Sequence, residues 1–409
     1  MSQAASSGRQ TVSAGRCARS RALVAASALV LMWGAGWGAA AQVPLNPSTD
    51  ADAATGSRSL VTHGRPYRAD DMLAAESFGN ATIDPTGRWA VFEQRAPYDQ
   101  ATSFEFGLRN PWTVSRLRVV DLASDRPAEA LLRPEEGEGH VLGPWSPSGR
   151  RLLIFRLRDH RWQAGVVEMA DRTARWFPLS PELSVFGEAA QWRSDDELVL
   201  LARPDGSLPQ WLASGGRGRR ALEARWRATD LGGPAQRTTL GSGAFADDMP
   251  RPPQTQAVRL DVRSDVATPL ASGWFYDLEL SPDGERLALV ETATAAAFDP
   301  ASAFEPQAID RERRLRLADL RTGALTSPLG EADVAPSLLS WSPASDRLLV
   351  WTRAAEGWEA GDLVGVDPDG GSALRYDLGG LRPYTGGGVA AFNSVYADWL
   401  GDRPVIFAH

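Results

Sequence analysis

The sequence predicts an all-β protein of β-propeller type, on three observations. A four-residue turn recurs along the chain, with Ser281-Pro282-Asp283-Gly284 as its clearest copy. A short apolar run follows each copy, and an alternating strand with a polar corner follows most of the runs. Together these give five complete repeats and an interrupted sixth.

The first segment stands outside the repeat. Residues 1–41 read as a secretory signal peptide: Arg16, Arg19 and Arg21 are basic, Ala22 to Trp37 is apolar, and Ala39-Ala40-Ala41 offers a small-residue cleavage site. The apolar run is short for a spanning helix, with an uncleaved anchor as the competing reading. The expectation is export to the periplasm or the medium, with no stable membrane span after cleavage. Cys17 is the only cysteine and leaves with the signal, so the mature chain carries no disulfide. Residues 42–66 are rich in Ala, Ser, Thr, Pro and Gly and read as a flexible leader. Asp70 then stands where it caps a short helix carrying Met72 and Leu73, at the start of a propeller spanning 67–409.

The repeats align on the residue before each turn: Ile83, Trp145, Trp192, Leu280, Trp341 and Trp399. Proline presets φ at the second turn position, and Asp or Gly accepts the later dihedrals. The runs that follow, such as Leu152–Phe155, Leu198–Leu201 and Leu287–Val290, are apolar without alternation, as a strand buried on both faces must be. Next come Leu117–Leu122, Val166–Met169, Val258–Val262, Leu315–Leu320 and Leu363–Asp367, each turning at a polar corner into one more strand. The anchor spacings are 62, 47, 88, 61 and 58 residues, which suits blades with insertions. The longest spacing holds Arg203 to Gln256, read as an elaborated loop. A pair of β-sandwiches also needs many short strands, but gives no reason for one turn to recur with a hairpin each time. The sixth copy starts at Trp399 and offers one strand, so the ring is expected to remain unfinished within this chain. A five-bladed ring that takes the tail into its first blade is the alternative.

Charge narrows the chemistry. All 43 basic residues are arginine, which excludes a lysine-dependent phosphate loop or Schiff base. The net charge of -8 argues against nucleic acid as a partner. The Arg217–Arg227 stretch is a local exception, read as a solvated insertion loop. The histidines His63, His140, His160 and His409 lack ligand spacing, and His140 reads as a loop residue. Asp367-Pro368-Asp369-Gly370 lacks the downstream glutamate of a calcium loop and reads as a turn. No cofactor or metal site is expected.

The Ser-Pro-Asp-Gly turn, the apolar strand and a following Val-x-Asp-Leu strand resemble the propeller repeats of TolB-like proteins and of prolyl oligopeptidase family serine peptidases. The opening Asp70-Asp71-Met72-Leu73, Phe78-Gly79 and Asp84-Pro85-Thr86-Gly87 look more like the peptidase side. The resemblance covers residues 67 to 409. It implies a propeller that limits an α/β-hydrolase domain to peptide substrates, with the catalytic serine in a G-x-S-x-G elbow beyond the propeller. This chain contains no G-x-S-x-G; Gly370-Gly371-Ser372-Ala373-Leu374 lacks the last glycine. No catalytic residue is therefore carried over. Some relatives hold a peptide amino terminus with propeller glutamates. Glu135 and Glu136, in the acidic loop Glu135-Glu136-Gly137-Glu138, are the corresponding candidates, with a solvated turn as the alternative. The expected function is the substrate-gating region of an exported peptidase, its partners a peptide and a hydrolase domain. The alternative is a stand-alone periplasmic scaffold that docks a protein.

Overall fold

The computed structural model describes residue 66 and residues 68–408, except 102, 134, 184–186, 234–252, 296–310, 337, 356, 370–371 and 384–394. The signal peptide, nearly all of the leader, His63 and His409 lie outside the described residues.

A short helix, α1 (Ala69–Leu73), opens the described chain and carries Met72 and Leu73 as expected. Asp70 is not its cap. Asp71 is the acceptor, taking the Arg68 N–H at 2.8 Å. Sheet 1 follows, with β1 (Ser77–Ile83), β2 (Trp89–Arg95), β3 (Ser115–Asp121) and β4 (Glu129–Ala130). Sheet 2 is β5 (Gly139–Trp145), β6 (Arg151–Arg158), β7 (Arg161–Glu168) and β8 (Thr173–Trp176). A short β9 (Ser180–Pro181) leads to sheet 3, formed by β10 (Ala190–Ser194), β11 (Glu197–Arg203), β12 (Thr255–Asp261) and β13 (Val266–Gly273). Sheet 4 is β14 (Phe275–Leu280), β15 (Arg286–Ala295), β16 (Arg311–Asp319) and β17 (Leu325–Thr326). Sheet 5 is β18 (Ser340–Trp341), β19 (Leu348–Ala354), β20 (Gly357–Val366) and β21 (Ala373–Arg375). A hairpin of β22 (Ala397–Leu400) and β23 (Arg403–Ile406) ends the series. All pairings within the sheets are antiparallel, and strand order follows chain order except at β9, which pairs with β11 as a fifth strand of sheet 3. Consecutive four-stranded antiparallel sheets, packed face to face in chain order, are the architecture of a β-propeller.

The apolar runs are the second strands, and their side chains point alternately to two neighbours. In β6, Leu152 and Ile154 pack on sheet 1 while Leu153 packs on sheet 3. In β11, Leu198 and Leu200 face sheet 2, and Val199 and Leu201 face sheet 4. Leu287 and Leu289 face sheet 3, whereas Ala288 and Val290 face sheet 5. Leu348 and Val350 face sheet 4, whereas Leu349 and Trp351 face the hairpin. One apolar cluster therefore fills each of the five gaps between successive members.

The recurring motifs have local causes. In the turn, Gly87, Gly149 and Gly284 take φ of 75°, 74° and 74°, and Ser345 takes 63° at the same position. The first turn residue receives a backbone N–H from the returning strand: Arg151 to Ser146 at 3.1 Å, Arg286 to Ser281 at 2.9 Å and Arg347 to Ser342 at 3.1 Å. The aspartate of Val-x-Asp-Leu shapes the next corner. Asp121, Asp261, Asp319 and Asp367 each accept the N–H two residues on, at 2.8–3.1 Å. That accounts for Asp367-Pro368-Asp369 without a cation.

The anchor tryptophans tie each sheet to the one before. Trp192 donates its indole N–H to the Pro144 carbonyl at 2.9 Å, Trp341 to that of Glu279 at 3.1 Å, and Trp399 to that of Ser340 at 3.0 Å. Each acceptor immediately precedes the anchor of the preceding sheet. Trp145 is the exception: its indole nitrogen is buried with no hydrogen-bond partner among the described residues.

The reading of the long insertion also fails. The Arg217–Arg227 stretch is not a loop but part of α2 (Gln210–Asp230), a 21-residue helix. Its Ala, Arg, Leu and Glu residues are strong helix formers, and they outweigh Gly215, Gly216 and Gly218. Leu212, fully buried against Phe106, Val141, Leu157 and Trp162, anchors it. No helix of the described residues is long and apolar enough to cross a membrane.

Candidate functional site

The segment between sheets 1 and 2 carries the predicted acids. Leu131 is buried at one end, and the Glu138 N–H closes a turn onto the Glu135 carbonyl at 3.1 Å, with Gly137 at φ 72°. At the other end Gly139 is held by close approach. A Cβ there would lie 1.6 Å from the Trp112 carbonyl oxygen. Trp112 belongs to a 3-10 helical segment, Gly107–Val114, that runs into β3, so the loop and β3 are fixed to each other.

The three acids end in different places. Glu135 and Glu136 are exposed, and Glu135 pairs with the Arg158 guanidinium at 2.6 Å. Glu138, the third acid of the loop, turns inward with its side chain 6% exposed. One of its oxygens meets His140 Nε2 at 2.5 Å. The other, Oε2, is buried without a hydrogen bond, 3.6 Å from Arg156 and from Arg158. All three acids line a cavity of about 560 Å³ that also takes in Arg116, Arg118 and Arg133. The cavity thus has an acidic lip and an arginine wall, suited to ligands with both a cationic and an anionic group.

His140 is not in a loop. It lies in β5, buried, with its ring 5.5 Å from Trp176. Burial depresses its pKa, Glu138 opposes that, and Arg156 adds to it. The imidazole is therefore neutral near pH 7, and Nε2–H donates to Glu138. Arg156 lies over the Trp176 ring at 4.3 Å. Sequence reasoning missed this Glu-His-Arg-Trp group because its members come from three strands and a loop; the i, i+2 spacing of Glu138 and His140 was the one local signal. No group among the described residues has the His, Cys, Asp and Glu content of a metal site.

A second buried acid lies between sheets 3 and 4. Asp277 accepts the backbone N–H of Glu188 at 2.8 Å and that of Leu278 at 3.0 Å. Burial pushes its carboxyl well above the usual range, and the nearby Glu279 and Glu188 push the same way. Its place between packed sheets makes it structural.

No protein-family model matches the sequence, and no curated protein does. Solved structures similar to the chain include TolB from Acinetobacter baumannii, at 10% identity and a TM-score of 0.33, over 81% of this chain and 59% of that one. The β-propeller domain of the Trilobed protease from Pyrococcus furiosus is similar at 8% identity and a TM-score of 0.41, over 82% and 78%. Acylaminoacyl peptidase from Pyrococcus horikoshii is similar at 9% identity and a TM-score of 0.43, over 82% and 43%. The chain thus spans less than two thirds of two of these three structures.

Proposed function

We propose that this chain is the non-catalytic, substrate-gating propeller region of an exported prolyl-oligopeptidase-like serine peptidase. Its hydrolytic chemistry would belong to a separate α/β-hydrolase domain. One observation carries the reading: Glu135 and Glu136 stand at the lip of a cavity whose wall includes the buried Glu138, with Oε2 lacking a hydrogen bond. An ammonium group at the lip would meet Glu136 directly and would compete with Arg158 for Glu135. Glu135 and Glu136 hold a peptide amino terminus, and the arginine wall meets its carbonyl or carboxylate oxygens.

Calorimetric titration with a short peptide, free and amino-acetylated, tests this. The free peptide should bind and the acetylated one should bind at least tenfold more weakly. E135Q/E136Q should abolish the difference. Equal binding of the two peptides would overturn the reading and favour a stand-alone scaffold for a protein partner. The chain alone should not turn over peptide p-nitroanilides, and a fluorophosphonate probe should label no serine.

A further inference from the structure

The second half of α2 projects from the sheets. Leu212 anchors the first turn in the core, and the helix packs chiefly against the Gly107–Val114 segment. From Leu222 to Asp230 no residue is buried. Its own backbone closes this half: Gly232 takes a φ of 80°, and the Gly233 N–H reaches the Ala228 carbonyl at 2.7 Å. Helices in proteins draw most of their stability from packing an apolar face on a neighbour. Here the large apolar side chains lie bare. Leu222 is 43% exposed, Trp226 66%, and Leu231, just past the end, 87%.

Position and charge describe what fits this helix. Leu222 and Trp226 are four residues apart and share one side. Trp211, about three turns earlier, falls on the same side, so the large apolar residues are few but aligned. The Arg109 guanidinium lies 5.9 Å from the Trp211 ring and 5.5 Å from that of Trp112, which fixes the root of the helix to the Gly107–Val114 segment. By sequence, Gln210–Asp230 holds Arg217, Arg219, Arg220, Arg225 and Arg227 against Glu223 and Asp230, a charge of +3 in a chain of -8. The helix is therefore the one place already noted where positive charge gathers, and its apolar residues are those that favour a membrane boundary, tryptophan and leucine. At 21 residues it has the length of a membrane span but not the apolarity. Such a helix lies along a bilayer, not across it.

We infer that the second half of α2 rests on the surface of an anionic phospholipid bilayer. Leu222 and Trp226 enter the headgroup boundary, and the arginines of the helix meet lipid phosphates. A projecting element fits a flat surface, whereas a protein partner would have to offer a groove shaped around it. Charge and apolar contact act together, so the attachment is peripheral and weakens as salt screens the arginines. It depends on α2 alone and stands whether or not the cavity of Glu135 and Glu136 holds a peptide.

Hydrogen exchange of the full chain in the presence of lipid vesicles tests it. Vesicles of mixed phosphatidylglycerol and phosphatidylcholine should slow amide exchange over residues 222–230 by about tenfold or more, and added salt should reverse the effect. Vesicles of phosphatidylcholine alone should leave it unchanged. Reading the helix itself keeps the result apart from lipid binding by the apolar run Ala22–Trp37. L222S/W226S should abolish the protection, and R225Q/R227Q should require about tenfold more anionic lipid to reach it. None of these four residues is buried, and an unchanged melting temperature establishes that the variants fold. No protection of α2 on anionic vesicles, including the case in which the helix serves another protein, would overturn the inference. So would equal protection by phosphatidylcholine alone, or protection that survives L222S/W226S.

Discussion

Trp145 and Trp341 occupy the same place in the second and fifth repeats but differ in one bond, and that difference sets up a controlled experiment. Trp341 donates its indole N–H to the Glu279 carbonyl at 3.1 Å, whereas the Trp145 nitrogen is buried and donates to nothing among the described residues. Trp→Phe removes the same ring atoms at both sites, so most of the packing loss cancels when the two variants are compared. W341F also loses a hydrogen bond, a net cost of about 1 kcal/mol. W145F instead removes a buried, unsatisfied donor whose burial costs about 1–3 kcal/mol. W341F should therefore be the less stable variant by about 2 kcal/mol or more. Urea unfolding followed by far-ultraviolet circular dichroism measures this as a shift in midpoint at unchanged slope. If W145F proves as damaging as W341F, the indole-carbonyl bond does not tie the sheets together as argued.

Two further outcomes are expected. The Asp277 carboxyl has a raised pKa, so the folded protein keeps a proton there that the unfolded chain has already lost. Its stability should fall as pH rises from the ordinary carboxylate range through that raised value. D277N should flatten the fall in melting temperature and melt higher than the unaltered protein at neutral pH; an unchanged slope would assign the pH dependence to other groups. G139A would force a Cβ to within 1.6 Å of the Trp112 carbonyl, a contact with backbone that cannot step aside. It should cost at least about 3 kcal/mol and weaken peptide binding at the cavity beside it. A normal melting temperature would refute the close approach.

The sheets were legible because their signal is local. A strand buried on two faces must be apolar at every position, and Leu152–Phe155, Leu198–Leu201 and Leu348–Trp351 all became second strands. The turns were legible for the same reason, since proline and glycine act within four residues. Helix α2 was not. Its apolar anchor, Leu212, lies near its start, so no stripe of period 3.6 marks the rest. The candidate site was half legible. The acidic loop announced itself, but which acid turns inward depends on Gly139 meeting the Trp112 backbone, a contact made in space. His140 and Asp277 were missed because alternation predicts where a side chain points, not which partner awaits a polar one.

The order of the strands within each sheet has a consequence for biosynthesis. All four strands of a sheet are consecutive in the chain, so sheet 1 can pair fully once residue 130 has been made, and sheet 2 once residue 176 has. A polypeptide growing from its amino end waits for a distant strand chiefly in sheet 3, where α2 separates β11 from β12; each new sheet finds its predecessor already formed as a template. The order of translation thus matches the order in which the sheets can pack, and each newly made face needs shielding from other chains until the next sheet covers it.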